Sequence, residues 1–314
     1  MCKFNPCVLV NNFSQKISKN SSREVVLLTG ASSGLGLAIA KNIIQTNRYV
    51  LVVTARETSI SKFYSENIEQ SPYVLIRSLD VRSDKQIHDI VDEINGKFGG
   101  VDILINNAGI ADRSTVEESN LMFRQAQLDV NYLAPFEIIS QVLSLMRKKG
   151  KGKIINISSA GGFMAMPTMS SYSASKFALE GASESLWYEM KPWGVHVTLV
   201  IPGFIKSEGF SHTTENDKCK LSMKDIKGNY HEHYIGMKSF IRMRMKKSHD
   251  SNEMIASRVL HIMKMNSPPL RAYVTFDARL LFMLRKILPA ILYMYIMYRL
   301  LPDIDKWGKQ PYKL

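Results

Sequence analysis

Cysteine is scarce in this chain. Cys2, Cys7 and Cys219 are the three it has in 314 residues, which excludes a disulfide framework as the source of stability and points to a reducing, cytoplasmic setting. Long apolar runs are also missing. The first 22 residues hold Lys3, Lys16 and Lys19 and no acid, but their apolar stretch, CVLV, is too short for a secretory leader. They read as a disordered or targeting extension. Near the other end the longest uncharged run, Ile287 to Tyr298, has 12 residues; as a helix it reaches about 18 Å against a bilayer core of about 30 Å, so it does not span. Acidic side chains are outnumbered, 28 against 41 Lys and Arg, and of the net +13 a net +10 falls in 205–314. No zinc-finger spacing or aromatic ribonucleoprotein motif accompanies that segment, so nucleic acid is not the expected partner. An anionic membrane surface and a solvated basic face remain as readings.

What is present is a chain of ordinary globular composition, 45% apolar and 22% charged, long enough to bury a large core. From Val25 onward short apolar runs alternate with helix-length segments. EVVLLTG, YVLVVTAR, YVLIRSLDV, DILINNAG, KIINISS and VHVTLVIPG are near-continuous Val- and Ile-rich runs of the kind that a parallel sheet buries on both faces. Between them, 35–46, 84–98, 117–149 (interrupted near Pro135) and 173–191 are predicted helices. This alternation predicts an α/β, Rossmann-like, doubly wound parallel sheet in three αβα layers, with ligands at the C-terminal ends of the strands.

Chemistry-bearing residues sit at those strand ends. The first strand leads into TGASSGLG, a loop from Gly30 through Ser32, Ser33, Gly34 and Leu35 to Gly36 that opens a helix. Its glycines let the backbone approach a pyrophosphate, and the helix N-terminus offers N–H groups and a positive dipole end. The spacing, G-x-x-x-G-x-G, departs from the commoner G-x-G-x-x-G, so the dinucleotide reading rests on the strand before the loop and the helix after it. The second strand ends at Arg56, about twenty residues further on, where an acid would hold the ribose of NAD and an arginine can pair the 2′-phosphate of NADP. The cofactor read here is therefore NADP (NADPH) ahead of NAD, unless Arg56 points to solvent. At the third strand end Asp80 is placed to accept a bond from an adenine amino group, and Ser83 is the better N-cap for 84–98. Tyr172 and Lys176, four apart in SSYSASKFALEG, share a helix face, so that the lysine can tune the phenol toward proton transfer.

With NNAG at 106–109, NISSAGG at 156–162 and YSASK at 172–176, in that order and spacing, residues 23 to 207 resemble the short-chain dehydrogenases/reductases. The resemblance implies a catalytic group of Asn131, Ser159, Tyr172 and Lys176. Tyr172 is then the general acid/base, Lys176 lowers its pKa and holds the nicotinamide ribose, and Ser159 polarises the carbonyl, with Ser158 next door as the alternative. Asn131 supports a water relay to the lysine. It further implies that Asn106, Asn107, Ala108 and Gly109 line the cofactor, mainly through backbone, that Asn107 also braces the strands, and that Pro202, Gly203 and Ile205 contact the nicotinamide. Ser207 stands where the family often has threonine.

Beyond Ile205 the motifs stop. His231 and His233 in HEHY lack a third ligand, and no metal is expected. Alternating Met and basic residues in RMRMKK, 242–247, suit a lid over an apolar pocket. The segment 278–302, flanked by Arg279, Arg285, Lys286 and Arg299 and split at Pro289, is expected to lie in a membrane interface, close over the substrate, or bury itself at a subunit contact. The chain thus divides into an extension, 1–22; a catalytic domain, 23–250, with its substrate loop at 205–250; and a helical apolar extension, 251–314. The function implied is NADP-dependent interconversion of a carbonyl and an alcohol on a bulky apolar substrate of steroid, retinoid or long-chain lipid type, in a homodimer or homotetramer. The alternatives are a soluble 3-oxoacyl reductase and a catalytically silent, membrane-associated nucleotide-binding protein.

Overall fold

The computed structural model describes residues 23–206, 213–214 and 216–308. In chain order its elements are β1 (Glu24–Leu28), α1 (Gly34–Thr46), β2 (Tyr49–Ala55), α2 (Ser61–Ser65), β3 (Val74–Ser78), α3 (Asp84–Phe98), β4 (Ile103–Asn106) and β5 (Ala111–Asp112). Next come α4 (Leu121–Leu128), α5 (Ala134–Lys149), β6 (Gly152–Ile157), α6 (Ser170–Met190), β7 (Val195–Ile201) and β8 (Thr213–Thr214). The chain continues with α7 (Asp217–Lys224), α8 (His231–Lys247), α9 (Asn252–Lys264), β9 (Arg271–Tyr273), α10 (Phe276–Ile287) and α11 (Ala290–Arg299).

All six predicted strands form, because each is mostly apolar and its central residues are buried between helices on the two faces of the sheet. Along β1, Val26 and Leu28 pack toward α1 and α9, while Val25 and Leu27 pack toward α3 and α5, the period-2 alternation of a sheet with helices on either side. The order is β3-β2-β1-β4-β6-β7-β9, every pairing parallel. The chain therefore reverses its direction of winding between β1 and β4, and the crevice at that switch point is where open α/β sheets bind ligands.

Two expectations are corrected. The division at 250 does not separate two units: α9 packs on α1 in the same core, through Ile255, Ala256 and Val259, and β9 pairs with β7 as the seventh strand. The seventh strand has no apolar run to announce it, since its three residues are all half-buried. The interruption of 117–149 is likewise more specific than a proline break. Asp129–Leu133 forms a π-helical turn that carries the helical backbone from α4 into α5 without a break, and Pro135 follows it in the first turn of α5, a bulge inside a helix where a chain break was expected. Pro289 does split the tail, capping α11 with an extended backbone at Leu288.

Candidate active site

At the C-terminal edge of β1, β2, β3 and β4 lies a cleft of about 630 Å³ lined by Gly30, Ser32, Ser33, Gly34, Leu35, Gly36, Arg56, Asp80, Asn107, Ala108 and Gly109. A second pocket of about 480 Å³ shares Ser33, Gly34, Leu35, Asn107 and Gly109 with it and continues to Ser159, Tyr172, Lys176, Pro202, Gly203 and Ile205. Together they make one long groove, suited to an extended dinucleotide with its reactive end at Tyr172. The glycines fit that use. A Cβ on Gly30 would come within 2.7 Å of the Ala108 Cα, and one on Gly36 within 2.3 Å of the Gly30 carbonyl oxygen, whereas Gly34, at φ +54°, has nothing within 4 Å. The first two are needed for packing beneath the loop, and the third leaves backbone bare toward the cleft.

Asn107 stitches the edge together. Its Nδ2 donates to the carbonyls of Thr29 (3.1 Å) and Gly30 (2.9 Å), while the amides of Asn107 and Ala108 donate to Thr29 Oγ1 at 3.0 and 3.1 Å. Thr29 gave no sign of this in the sequence. The Asn106 side chain is buried and donates to Asn156 Oδ1 at 2.9 Å, off the cleft.

At the far end of the cleft Arg56 is joined by Lys62 and Arg82, two cations that sequence reasoning missed because neither lies at a strand end. Arg82 changes the reading of Asp80. The Asp80 carboxylate binds the Arg82 guanidinium at 2.7 and 3.1 Å and the Arg82 amide at 3.0 Å, and this bonding holds its pKa below the ordinary value. Asp80 is thus engaged by a neighbour that holds it ionised. Ser83 caps α3 by accepting from the Gln86 amide.

The Tyr172 end of the groove is assembled on α6. Lys176 is buried, one turn beyond Tyr172, and its Nζ donates to the Ile157 carbonyl at 2.8 Å. Burial pushes its pKa down to about 8, with Glu180 pulling the other way. Tyr172 is half-buried at the pocket wall; burial pushes its phenol up, opposed by a hydrogen bond with Ser159. The Lys176 ammonium is directed to the Ile157 carbonyl, and Ser159 is the hydrogen-bond partner that opposes the rise. Ser159 also caps the short turn 160–162, accepting from the Gly161 amide at 3.1 Å. Ser158, the alternative, is buried with its hydroxyl turned under Gly162 beside Glu180. Asn131 sits in the π-turn. Its Oδ1 accepts from the Ile110 amide and its Nδ2 donates to the Ile110 carbonyl and Ser175 Oγ, each at 2.9 Å. A Cβ on Gly109 would lie 3.3 Å from Asn131 Oδ1 and 3.9 Å from Lys176 Nζ, so both side chains converge on that glycine.

The Pro202–Gly203 turn is held from an element that carries no motif. The Gly203 amide donates to Thr275 Oγ1 at 2.8 Å and the Phe204 amide to Asp277 Oδ2 at 2.8 Å, both at the start of α10. Ser248 Oγ donates to the Phe204 carbonyl at 2.6 Å. A Cβ on Gly203 would fall 2.3 Å from the Asp277 carboxylate.

Residues 24–218 match the family model described as short chain dehydrogenase. The chain belongs to that family. Among its relatives, an uncharacterized oxidoreductase of Bacillus subtilis is 30% identical over 74% of this chain and 82% of that one. A protein of Bacteroides thetaiotaomicron named 3-ketodihydrosphingosine reductase is 37% identical over 57% of this chain and 63% of its own length. Among solved structures, a short-chain dehydrogenase from Streptomyces avermitilis superimposes with a TM-score of 0.72 at 25% identity, covering 88% of this chain and 97% of the other.

As a short-chain dehydrogenase/reductase the protein is an NAD(P)-dependent oxidoreductase. Ser207, expected to replace a family threonine, lies outside the described residues. His231 and His233 open α8, and His233 stacks on Trp307 at 4.3 Å. Among the described residues no cluster of His, Cys, Asp and Glu has a metal-binding arrangement, and no helix is long and apolar enough to cross a membrane.

Proposed function

We propose that this enzyme interconverts a carbonyl and an alcohol on a bulky apolar substrate, with NADP as its cofactor. The observation that carries the reading is the pocket around Tyr172. Its walls include Met164, Met166, Met169, Met245 and Phe204, and among the described lining residues Lys176 is the one charged side chain. A wall of methionines excludes water and adapts to a large apolar shape. A long-chain ketone suits it, the class that the name of the Bacteroides relative carries. Arg56 and Lys62 in the adjoining cleft support NADP, since two cations there complement a 2′-phosphate, while the charge of Arg82 is answered by Asp80.

Bound in this groove, NADPH would supply the hydride that reduces the carbonyl carbon. Tyr172 Oη gives its proton to the carbonyl oxygen, which becomes the alcohol hydroxyl, while Ser159 donates a hydrogen bond to the oxygen as negative charge develops. Lys176 has three N–H donors, of which one is spent on Ile157; the others are available to hold the nicotinamide ribose, and its charge stabilises the phenolate left behind. Asn131 keeps the Gly109–Ile110 backbone beside the lysine. The test is NADPH oxidation against panels of steroid, retinoid and long-chain ketones beside small polar ones, repeated with NADH. Turnover concentrated in the apolar panels and in NADPH is expected; equal turnover of small polar ketones, or no preference between cofactors, overturns the reading.

A further inference from the structure

The helical pair α10–α11 wears its apolar surface on the outside. On α10, Phe276, Leu280, Met283, Leu284 and Ile287 are exposed, at spacings of four, three, one and three that put them on one face. The opposite face is the one that docks: Ala278 is buried, and Phe282 stacks on Tyr273 at 4.4 Å and meets Phe163 edge-on at 5.6 Å. On α11, Ile291, Met294, Tyr295 and Tyr298 are exposed, with Ile291 at 87%, at i, i+3, i+4 and i+7. That is the spacing by which a helix ordinarily faces a core. Here Tyr293, buried on the other side beneath Arg285, makes the attachment. Apolar stripes on two consecutive helices, both turned outward, are a surface that expects a cover.

The charges say which cover. From Ala278 to Leu301 the chain has Arg279, Arg285, Lys286 and Arg299 and not one acidic residue. Arg279 and Lys286, seven apart and both exposed, lie along one rim of the α10 stripe. A second copy of the chain docking through this face about a two-fold axis would bring basic rims together without an acid to answer them. An anionic bilayer answers them: the stripes enter the acyl boundary, the cations meet phosphates, and Tyr295 and Tyr298 sit at headgroup depth, as tyrosines do. We infer that α10–α11 docks the enzyme peripherally on an anionic lipid surface.

Both ends of this pair reach the walls of the active site. Thr275 and Asp277 hold the Gly203–Phe204 turn, and past α11 Leu301 and Trp307 pack with Met169 and with Met237, Ile241 and Met245 of α8. The docking surface is thus built onto the pocket.

The test is cosedimentation of the full chain with phosphatidylcholine vesicles, with and without phosphatidylserine. Binding to the serine-containing vesicles is expected, and Arg279→Gln with Lys286→Gln should weaken it about 25-fold, each surface cation contributing a factor of about five. Ile291→Asp with Tyr295→Asp should abolish it with the thermal midpoint unchanged, since both side chains face outward. Wild-type protein that stays in the supernatant overturns the inference, as does unchanged binding by the aspartate variant. A concentration-dependent dimer in sedimentation velocity that the aspartate variant dissolves also overturns it, giving the face to a second copy. None of these readouts depends on turnover, so the substrate reading and the docking surface stand or fall separately.

Discussion

Arg271, on the last strand of the sheet, reaches across to Glu180 on α6 at 3.1 Å, one helical turn beyond Lys176. Its other arm binds Glu184 at 2.7 Å. Glu180 is buried, and burial raises its pKa while Ser158 and Arg271 oppose the rise. Because Glu180 in turn supports the charge on Lys176, an ion pair formed by the C-terminal part of the chain bears on the lysine to which we assign the proton chemistry.

Arg271→Met leaves the Glu180 carboxylate buried without its cation. We expect a loss of about 3 kcal/mol in unfolding free energy, the usual scale for breaking a buried pair from one side. Adding Glu180→Met should restore most of it. Urea titrations of the two variants measure both steps, and a single variant as stable as wild type would show the pair to be ornamental.

Tyr172→Phe removes the proton donor and little else, since the ring stays where Gly161 packs on it. Turnover should fall by a factor of about 10² to 10⁴, the range for a general acid, while cofactor binding, followed by fluorescence, is retained. Near-normal turnover would place the proton transfer elsewhere.

The lysine carries a pH signature. Its pKa is about 8 in the fold against 10.5 outside it. Below about pH 8 both states are protonated and the burial penalty is constant. Between about 8 and 10.5 the unfolded chain holds the extra proton, so native stability rises with pH. Relative to Lys176→Met, wild type should therefore gain about 3 kcal/mol across that window, read from unfolding free energies at each pH. In the reductive direction kcat/KM should fall above about pH 8 as the ammonium is lost; a flat stability difference would mean that the lysine is not strained by burial.

For the cofactor, Arg56→Ala and Lys62→Ala should each weaken NADPH binding about tenfold or more, as a charge-assisted bond of about 1.5–3 kcal/mol implies. NADH binding should hardly change. Equal loss for both cofactors would assign these side chains to the fold instead of to the phosphate.

Much of this was legible in the primary structure, and the reason is locality. A strand covered on both faces must be apolar throughout, so β1, β2, β3, β4, β6 and β7 announce themselves. Tyr172 and Lys176 share one helix, and the glycine loop spans seven residues. What escaped notice is held by distant closure. Arg271 meets a carboxylate 91 positions away; Thr275 and Asp277 reach back 72 and 73; Lys62 and Arg82 converge on a cleft from separate loops. Each is an ordinary polar residue where it stands, and β9 is too short and too exposed to show a pattern. The boundary expected at 250 failed for the same reason: α9 belongs to the core through its contact with α1.

The Thr275 and Asp277 bonds bear on the order in which the protein is made. Every motif residue has been synthesised by Ile205, yet the Pro202–Gly203 turn acquires its amide partners, and α6 its arginine, when 271–277 arrive. A nascent chain paused or cut between those points would carry the whole signature of the family with its floor unpinned. Completion of the site is a late event in the life of each molecule, and the finishing residues are those that lead directly into α10–α11.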